Sequence, residues 1–215
     1  MQTRQYSPFD RLVMNADQAL RTLAGKPLVT ERPNPAQACA EQAELTESEK
    51  DESIRLMRVN HSGEVAAQAL YQGQALTARL GAVRERMERA AAEENDHLEW
   101  CEGRIRELGG RLSLLNPVWY LGSFVIGAAA GIAGDKWSLG FVAETEQQVT
   151  EHLDSHLQRI ADKDVKSRAI LEQMKVDEMK HGATAKRAGG ADLPQPVRRL
   201  MKLVSKIMTG SAYRV

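Results

Sequence analysis

In a chain whose residues are 27% charged, no charged side chain occurs from Leu112 to Gly134. This uncharged run is the feature that most restricts the fold, because it separates two pairs of long segments with helical apolar spacing. Short links inside each pair make antiparallel hairpins, and a connection this long between the pairs has to cross the bundle. The first pair begins near Thr46 with TESEKDESIRLMRVNHSGEVAAQALYQGQALTARL, whose acidic residues mass at the start, where the positive end of a helix dipole favours them. Its partner runs from Val83 to Leu108 and is stopped by Gly109 and Gly110. The second pair spans Lys136 to Ile160 and Asp164 to Arg187, ending at Gly189 and Gly190. Aromatic residues are only 5% and no alternating strand pattern occurs, so the chain reads as all-α. Two hairpins joined by one long crossover predict a ferritin-like four-helix bundle.

The flanks divide the chain into residues 1–45 and a bundle domain of residues 46–215. Near the N-terminus, Phe9, Leu12, Val13, Ala16 and Leu20 fall on one side of a short amphipathic helix. Asp10 and Asp17 in that stretch fit neither a secretory signal nor an acid-poor transit peptide. The proline-rich KPLVTERPNP then reads as a linker. Three readings of the crossover, residues 112–134, compete: a transmembrane helix, a buried packing hairpin, or a segment lying in or against a membrane surface. Ser113, Asn116, Pro117, Ser123 and several glycines dilute its hydrophobicity, while Trp119, Tyr120 and Trp137 bracket it as interfacial aromatics do. The C-terminal residues 194–209 favour the membrane surface. There Val197, Leu200, Leu203, Val204, Ile207 and Met208 recur at helical spacing, with Arg198, Arg199, Lys202 and Lys206 between them. A solvated helix packed on the bundle is the plainer alternative.

With 29 basic and 29 acidic residues the formal charge is zero, so no electrostatic case for nucleic acid arises. Cys39 and Cys101 are far apart and form no CxxC spacing, which predicts free buried thiols in a reducing compartment.

Two Glu-x-x-His pairs are present, ENDH at Glu94 to His97 and EMKH at Glu178 to His181. Composition alone supplies about 0.4 such pairs, so their position has to carry the argument. One pair falls in the second bundle helix and one in the fourth. Each lies on an apolar stripe: Met87, Ala90, Cys101, Ile105 and Leu108 in one case, Leu171, Met174 and Ala185 in the other. Charged groups on a core face need a partner or a metal. The helix before each pair offers one inward carboxylate, Glu64 with Leu70 and Tyr71 nearby, and Glu146 on the arc of Val142, Val149, Leu153 and Ile160. Glu144 and Glu151 point to the opposite side. Glu64, Glu94, His97, Glu146, Glu178 and His181 together form the ligand set of a di-iron or di-manganese carboxylate bundle. Oxygen and imidazole donors without thiolate suit two iron ions per chain, or manganese, over Cu(I) or structural zinc.

Each histidine needs an acceptor for its other ring proton. Asp177 and Glu93 immediately precede a ligand glutamate and are expected to reach across, Asp177 to His97 and Glu93 to His181. His152, at the edge of the third helix's inward arc, is a further candidate neighbour. His61 and His156 read as surface or boundary residues.

The motifs RVNHSGEVAAQALYQGQ, EENDHLEW, AETEQQVTEH and VDEMKHG, in this order and spacing, resemble the demethoxyubiquinone hydroxylases over roughly residues 50–215. In that family the metal ligands fall on the same six positions. The resemblance implies O2-dependent hydroxylation of the ring of a polyprenyl benzoquinol, with two irons per chain and peripheral association with the cytoplasmic face of a bacterial inner membrane. It also leaves room for contacts with other ubiquinone-biosynthesis proteins and for a homo-oligomer. Tyr71, Ile126 and Ala130 are expected along the route of the tailed substrate. A ferritin- or rubrerythrin-like storage or peroxide-scavenging protein, and a non-enzymatic membrane adaptor, are the competing readings.

Overall fold

The structure, a computed structural model, describes residues 7–30, 32–39 and 43–215. Among these it contains seven α-helices: α1 (Pro8–Ala24), α2 (Glu47–Thr77), α3 (Gly81–Glu107), α4 (Asn116–Ala133), α5 (Asp135–Arg159), α6 (Val165–Arg187) and α7 (Gln195–Ala212). Helices α2, α3, α5 and α6 form the bundle, and α4 is the crossover between its two hairpins. The boundaries follow local chemistry. Ser7 with Asp10, and Thr46 with Glu49, form reciprocal capping boxes at the starts of α1 and α2, while Asp164 caps α6. No such side chain starts α3. Asp135, at the head of α5, instead accepts the N–H groups of Arg79 (3.0 Å) and Leu80 (2.9 Å). Gly109 and Gly189 adopt positive φ just beyond α3 and α6, as helix stops require.

Two apolar clusters fill the bundle. Tyr71, Val83, Met87, Leu139, Val142 and Ala185 occupy one end. Leu56, Met57, Trp100, Cys101, Ile105, Leu153, Ile170, Leu171 and Met174 occupy the other. Truncating a fully buried member such as Leu171 to Ala would cost about 2–5 kcal/mol. The predicted ligand residues lie between these clusters.

The crossover is one helix lying along α2, not a buried hairpin. A side chain on Gly127 would collide with the backbone of Leu70, and one on Gly73 with the backbone of Phe124, so these glycines set the close approach of α2 and α4. Gly127 and Gly131 of α4 therefore face the protein, while Val118, Leu121, Val125, Ile126 and Ile132 are exposed. By length and composition α4 is apolar enough to cross a membrane. Helix α7 has a similar orientation. Its Arg198 and Lys202 turn toward α5, pairing with Glu144 (2.6 Å) and Glu151 (3.4 Å), and Val197, Leu200, Leu203, Val204 and Ile207 are left exposed.

In α1, Val13, Ala16 and Leu20 are exposed. The side chains of Phe9 and Leu12, expected on the same apolar side, lie outside the described residues. Cys101 is fully buried, as expected, whereas Cys39 is half-buried. The proline-rich linker leads into a 3-10 turn at Pro35–Ala38 and is fastened to α3 and α6 by Thr30 and Arg32.

His61 and His156 correct the sequence reading, since they retain only 2% and 7% of their exposure. Helix α4 is laid over α2 on the side away from the metal-ligand stripe, so 18 of the 31 residues of α2 are buried and its outer face becomes interior. His61 Nδ1 meets the Asn116 side-chain amide at 3.4 Å, and His156 Nδ1 faces Asn60 Oδ1 at 3.1 Å.

Candidate metal centre

Four helices each bring part of one buried cluster to the middle of the bundle: Glu64 from α2, Glu94 and His97 from α3, Glu146 from α5, Glu178 and His181 from α6. The five residues other than His181 are at most 3% exposed. They fall into two overlapping groups, Glu64–Glu94–His97–Glu178 and Glu94–Glu146–Glu178–His181, whose donor atoms lie within 4.8 Å of one another. Glu94 and Glu178 belong to both. His97 Nδ1 lies 2.7 Å from Glu94, 3.3 Å from Glu178 and 3.8 Å from Glu64. His181 Nδ1 lies 3.1 Å from Glu94 and 3.7 Å from Glu178.

The opposite ring nitrogens face outward to carboxylates. His97 Nε2 is 3.2 Å from Asp177 Oδ2, and His181 Nε2 is 2.7 Å from Glu93 Oε2. Both contacts cross between α3 and α6, as expected from the sequence. With Nε2–H donated to a carboxylate, each ring is oriented with Nδ1 toward the centre, the nitrogen that a bound cation would take in place of a proton.

This donor set fits metal. Both oxygens of Glu94, Oε1 of Glu178, and the Nδ1 atoms of His97 and His181 are buried without a hydrogen bond of acceptable geometry. Leaving that many buried polar atoms unpaired would cost about 1–3 kcal/mol each. Cations at the centre would satisfy all of them.

The electrostatics agree. Burial, with the charges of Glu94 and Glu178, pushes Glu64 well above the usual carboxylate range. Burial and Glu178 do the same to Glu146. Burial also works against ionised Glu94, but His97 and His181 outweigh it and draw that carboxyl down. For His97 burial favours the neutral ring, and Glu94 and Asp177 overcome it and raise the imidazole well above its ordinary value. The protein thus draws positive charge toward four carboxylates by holding protons there.

Tyr71 lies directly against the cluster. Its hydroxyl donates to Glu146 Oε1, and burial together with the Glu146 charge keeps it protonated. Tyr71 also lines two cavities. One, of about 360 Å³, is lined by Met87, Ala90, Leu139, Val142 and His181; the other, of about 420 Å³, by Met14, Gln18, Gln72, Leu76 and Met87.

Of the expected residues, His152 is not brought to the cluster, and Ile126 and Ala130, expected along the route of the tailed substrate, lie on α4. His152 stacks on His156 with ring centroids 6.4 Å apart and lines a separate cavity with Val59 and Tyr213. Ile126 is exposed on the outer face of α4, and Ala130 is half-buried there. Conversely, Arg32 donates to Asp177 at 2.7 Å, a contact across 145 residues of sequence that no periodicity signals.

Fold and site together define a ferritin-like helical bundle built around a buried carboxylate–histidine centre. A bacterioferritin-related protein of Bacteroides fragilis, a dodecameric thioferritin, has the same fold with a TM-score of 0.56 at 18% identity, covering 71% of this chain and 90% of that one. Residues 51–212 match the model of the family described as ubiquinone biosynthesis protein COQ7, and the chain belongs to that family. A 3-demethoxyubiquinol 3-hydroxylase of Nitrosococcus oceani is 60% identical over 213 residues, covering 99% of both chains. The protein of the same name from Alcanivorax borkumensis is 54% identical over the full length of both.

Proposed function

We propose that this protein is an O2-dependent di-iron monooxygenase that hydroxylates the ring of a demethoxyubiquinol in ubiquinone biosynthesis. The observation that carries this reading is the pair of overlapping Glu/His groups sharing Glu94 and Glu178, found in a chain 60% identical to a named 3-demethoxyubiquinol 3-hydroxylase. Glu64, Glu94, His97 and Glu178 in one group, and Glu94, Glu146, Glu178 and His181 in the other, are the residues that would hold the two ions. Two irons supply the electrons that O2 activation requires and a site to direct oxygen at a ring C–H bond.

The chain supplies orientation. Asp177 and Glu93 fix the histidine rings, and Tyr71 holds Glu146 through its hydroxyl. The apolar clusters border the centre at both ends of the bundle. The cavity beside His181 is apolar along Leu139 and Val142 and reaches Tyr71, which suits a substituted quinol ring.

The protein works as a peripheral protein at the cytoplasmic face of a bacterial inner membrane. A substrate with a polyprenyl tail resides in lipid, and the exposed apolar faces of α4 and α7 are oriented to meet it. A soluble storage cage has no use for those faces. Purified iron-loaded protein supplied with a demethoxyubiquinol analogue, reductant and O2 should form the ring-hydroxylated quinol, and a deletion strain should accumulate the demethoxy quinone. Normal ubiquinone in that strain with altered iron stores would sink the proposal in favour of storage.

A further inference from the structure

The segment between α1 and α2 reaches the metal centre. Thr30 donates its backbone N–H to Asp96 Oδ1 and its hydroxyl to Asp96 Oδ2, each at 2.6 Å. Arg32 Nε donates to the same Asp96 Oδ2 at 2.6 Å. The other end of the guanidinium turns inward, with Nη1 2.7 Å from Asp177 Oδ2 and Nη2 3.3 Å from the backbone carbonyl of Glu93. Its carbon lies 5.2 Å from the centroid of the Trp100 ring.

Asp177 Oδ2 therefore receives two donors, Arg32 Nη1 and His97 Nε2. The side chains of Asp96 and Asp177 are only 1% and 5% exposed, and Arg32, with Lys180 3.4 Å from Asp177 Oδ1, balances their charge. A planar fork can bind two carboxylates and a carbonyl at fixed angles, which a lysine ammonium cannot reproduce. The arrangement is one-sided. On the Glu93 side Arg32 meets a backbone oxygen, and the described contacts of the Glu93 carboxylate run to His181.

We infer that Arg32 is a positioning residue of the metal centre, fixing Asp177 and through it the ring of His97, so that the segment before α2 is part of the site and not a tether. This rests on the di-iron reading above. Its removal should disturb the ion held by His97 more than the one held by His181. Folding should survive, because the Arg32 side chain is one-third exposed on a connecting segment.

The test uses the full chain carrying R32Q, R32K, D177N or R32Q/D177N, loaded with 57Fe. Iron per chain, transfer of iron to a ferrous chelator, the Mössbauer spectrum and helical circular dichroism are measured. R32Q should keep its helicity, lose iron about 10-fold faster than wild type, and alter one of the two iron signals. R32K should fall between, roughly threefold faster, and it carries the same test if R32Q fails to fold. In the D177N background R32Q should add less than about twofold. Wild-type retention with an unchanged spectrum in R32Q, or multiplying effects in the double variant, overturns the inference while leaving the di-iron reading intact. A wild-type protein that takes up no iron overturns both.

Discussion

The imidazole of His181 on α6 gives its outward nitrogen to Glu93 on α3, 2.7 Å away, and thereby turns its other nitrogen toward Glu94 and Glu178. The contact ties one hairpin to the other at the metal centre. Glu93→Gln keeps an acceptor but removes the charge that holds the ring proton in place. Iron affinity should fall by about 10-fold or more, with circular dichroism unchanged. Wild-type affinity by competition with a chelator would show that His181 is oriented by packing alone.

Close packing of α4 on α2 gives a prediction of opposite signs at two glycines of one helix. Gly127 abuts the Leu70 backbone, while a Cβ on Gly122 would meet nothing within 4 Å. Gly127→Ala should destabilise by about 1–3 kcal/mol through overpacking. Gly122→Ala should stabilise by roughly 0.5–1 kcal/mol through helix propensity. Denaturant midpoints of the two variants decide it, and a stabilising G127A would mean that α4 is not seated on α2 as described.

These helices also show what the sequence could and could not reveal. The stripe that carries Glu94 and His97 was legible because charges among Met87, Ala90, Cys101 and Ile105 violate the apolar pattern of a core face. The contacts of Asp177 with His97 and Glu93 with His181 were legible because each acid precedes an inward glutamate by one residue. The burial of His61 was not, since helical periodicity reports one face, and the second face of α2 is covered by a crossover whose docking depends on glycines; nor was that of His156, which α5 sets against Asn60 of α2 near the end of α7. Nor was Arg32, whose partners are set by the path of an irregular segment. Ile126 was expected along the route of the tailed substrate on an apolar, membrane-associated crossover, and it stands exposed on α4 with Val118, Leu121, Val125 and Ile132, away from the metal centre.

That outward face leads to a membrane prediction. Ile126 on α4 and Leu200 on α7 are 40% and 60% exposed, so glutamate at either position leaves the core intact. The double variant Ile126→Glu/Leu200→Glu should lower partitioning into phospholipid vesicles by about 10-fold or more. Iron content should stay the same. Equal flotation of variant and wild type with vesicles would remove both faces from the membrane contact.

Acid stability should depend on the buried histidines. Burial, helped by the charge of Arg106, holds the His61 imidazole down at about 4, and burial with His152 and Arg159 holds His156 at about 3. In the unfolded chain both return to roughly 6.5. Above that pH neither state binds the proton and the full stability is present. As pH falls below 6.5 the unfolded chain takes up protons that the folded protein refuses, so stability is lost by about 1.4 kcal/mol per pH unit per histidine. For His61 the loss continues down to about pH 4, where it totals roughly 3 kcal/mol. The geometry gives the same sign, because the Asn116 amide approaches His61 Nδ1 at 3.4 Å while its Oδ1 accepts from Ser62 at 2.8 Å. A proton on Nδ1 would set donor against donor. His61→Gln should therefore be less stable than wild type at pH 7, with the gap closing between pH 6.5 and 4, as read from urea midpoints of the two proteins at each pH. A gap independent of pH would show that His61 titrates normally in the folded protein.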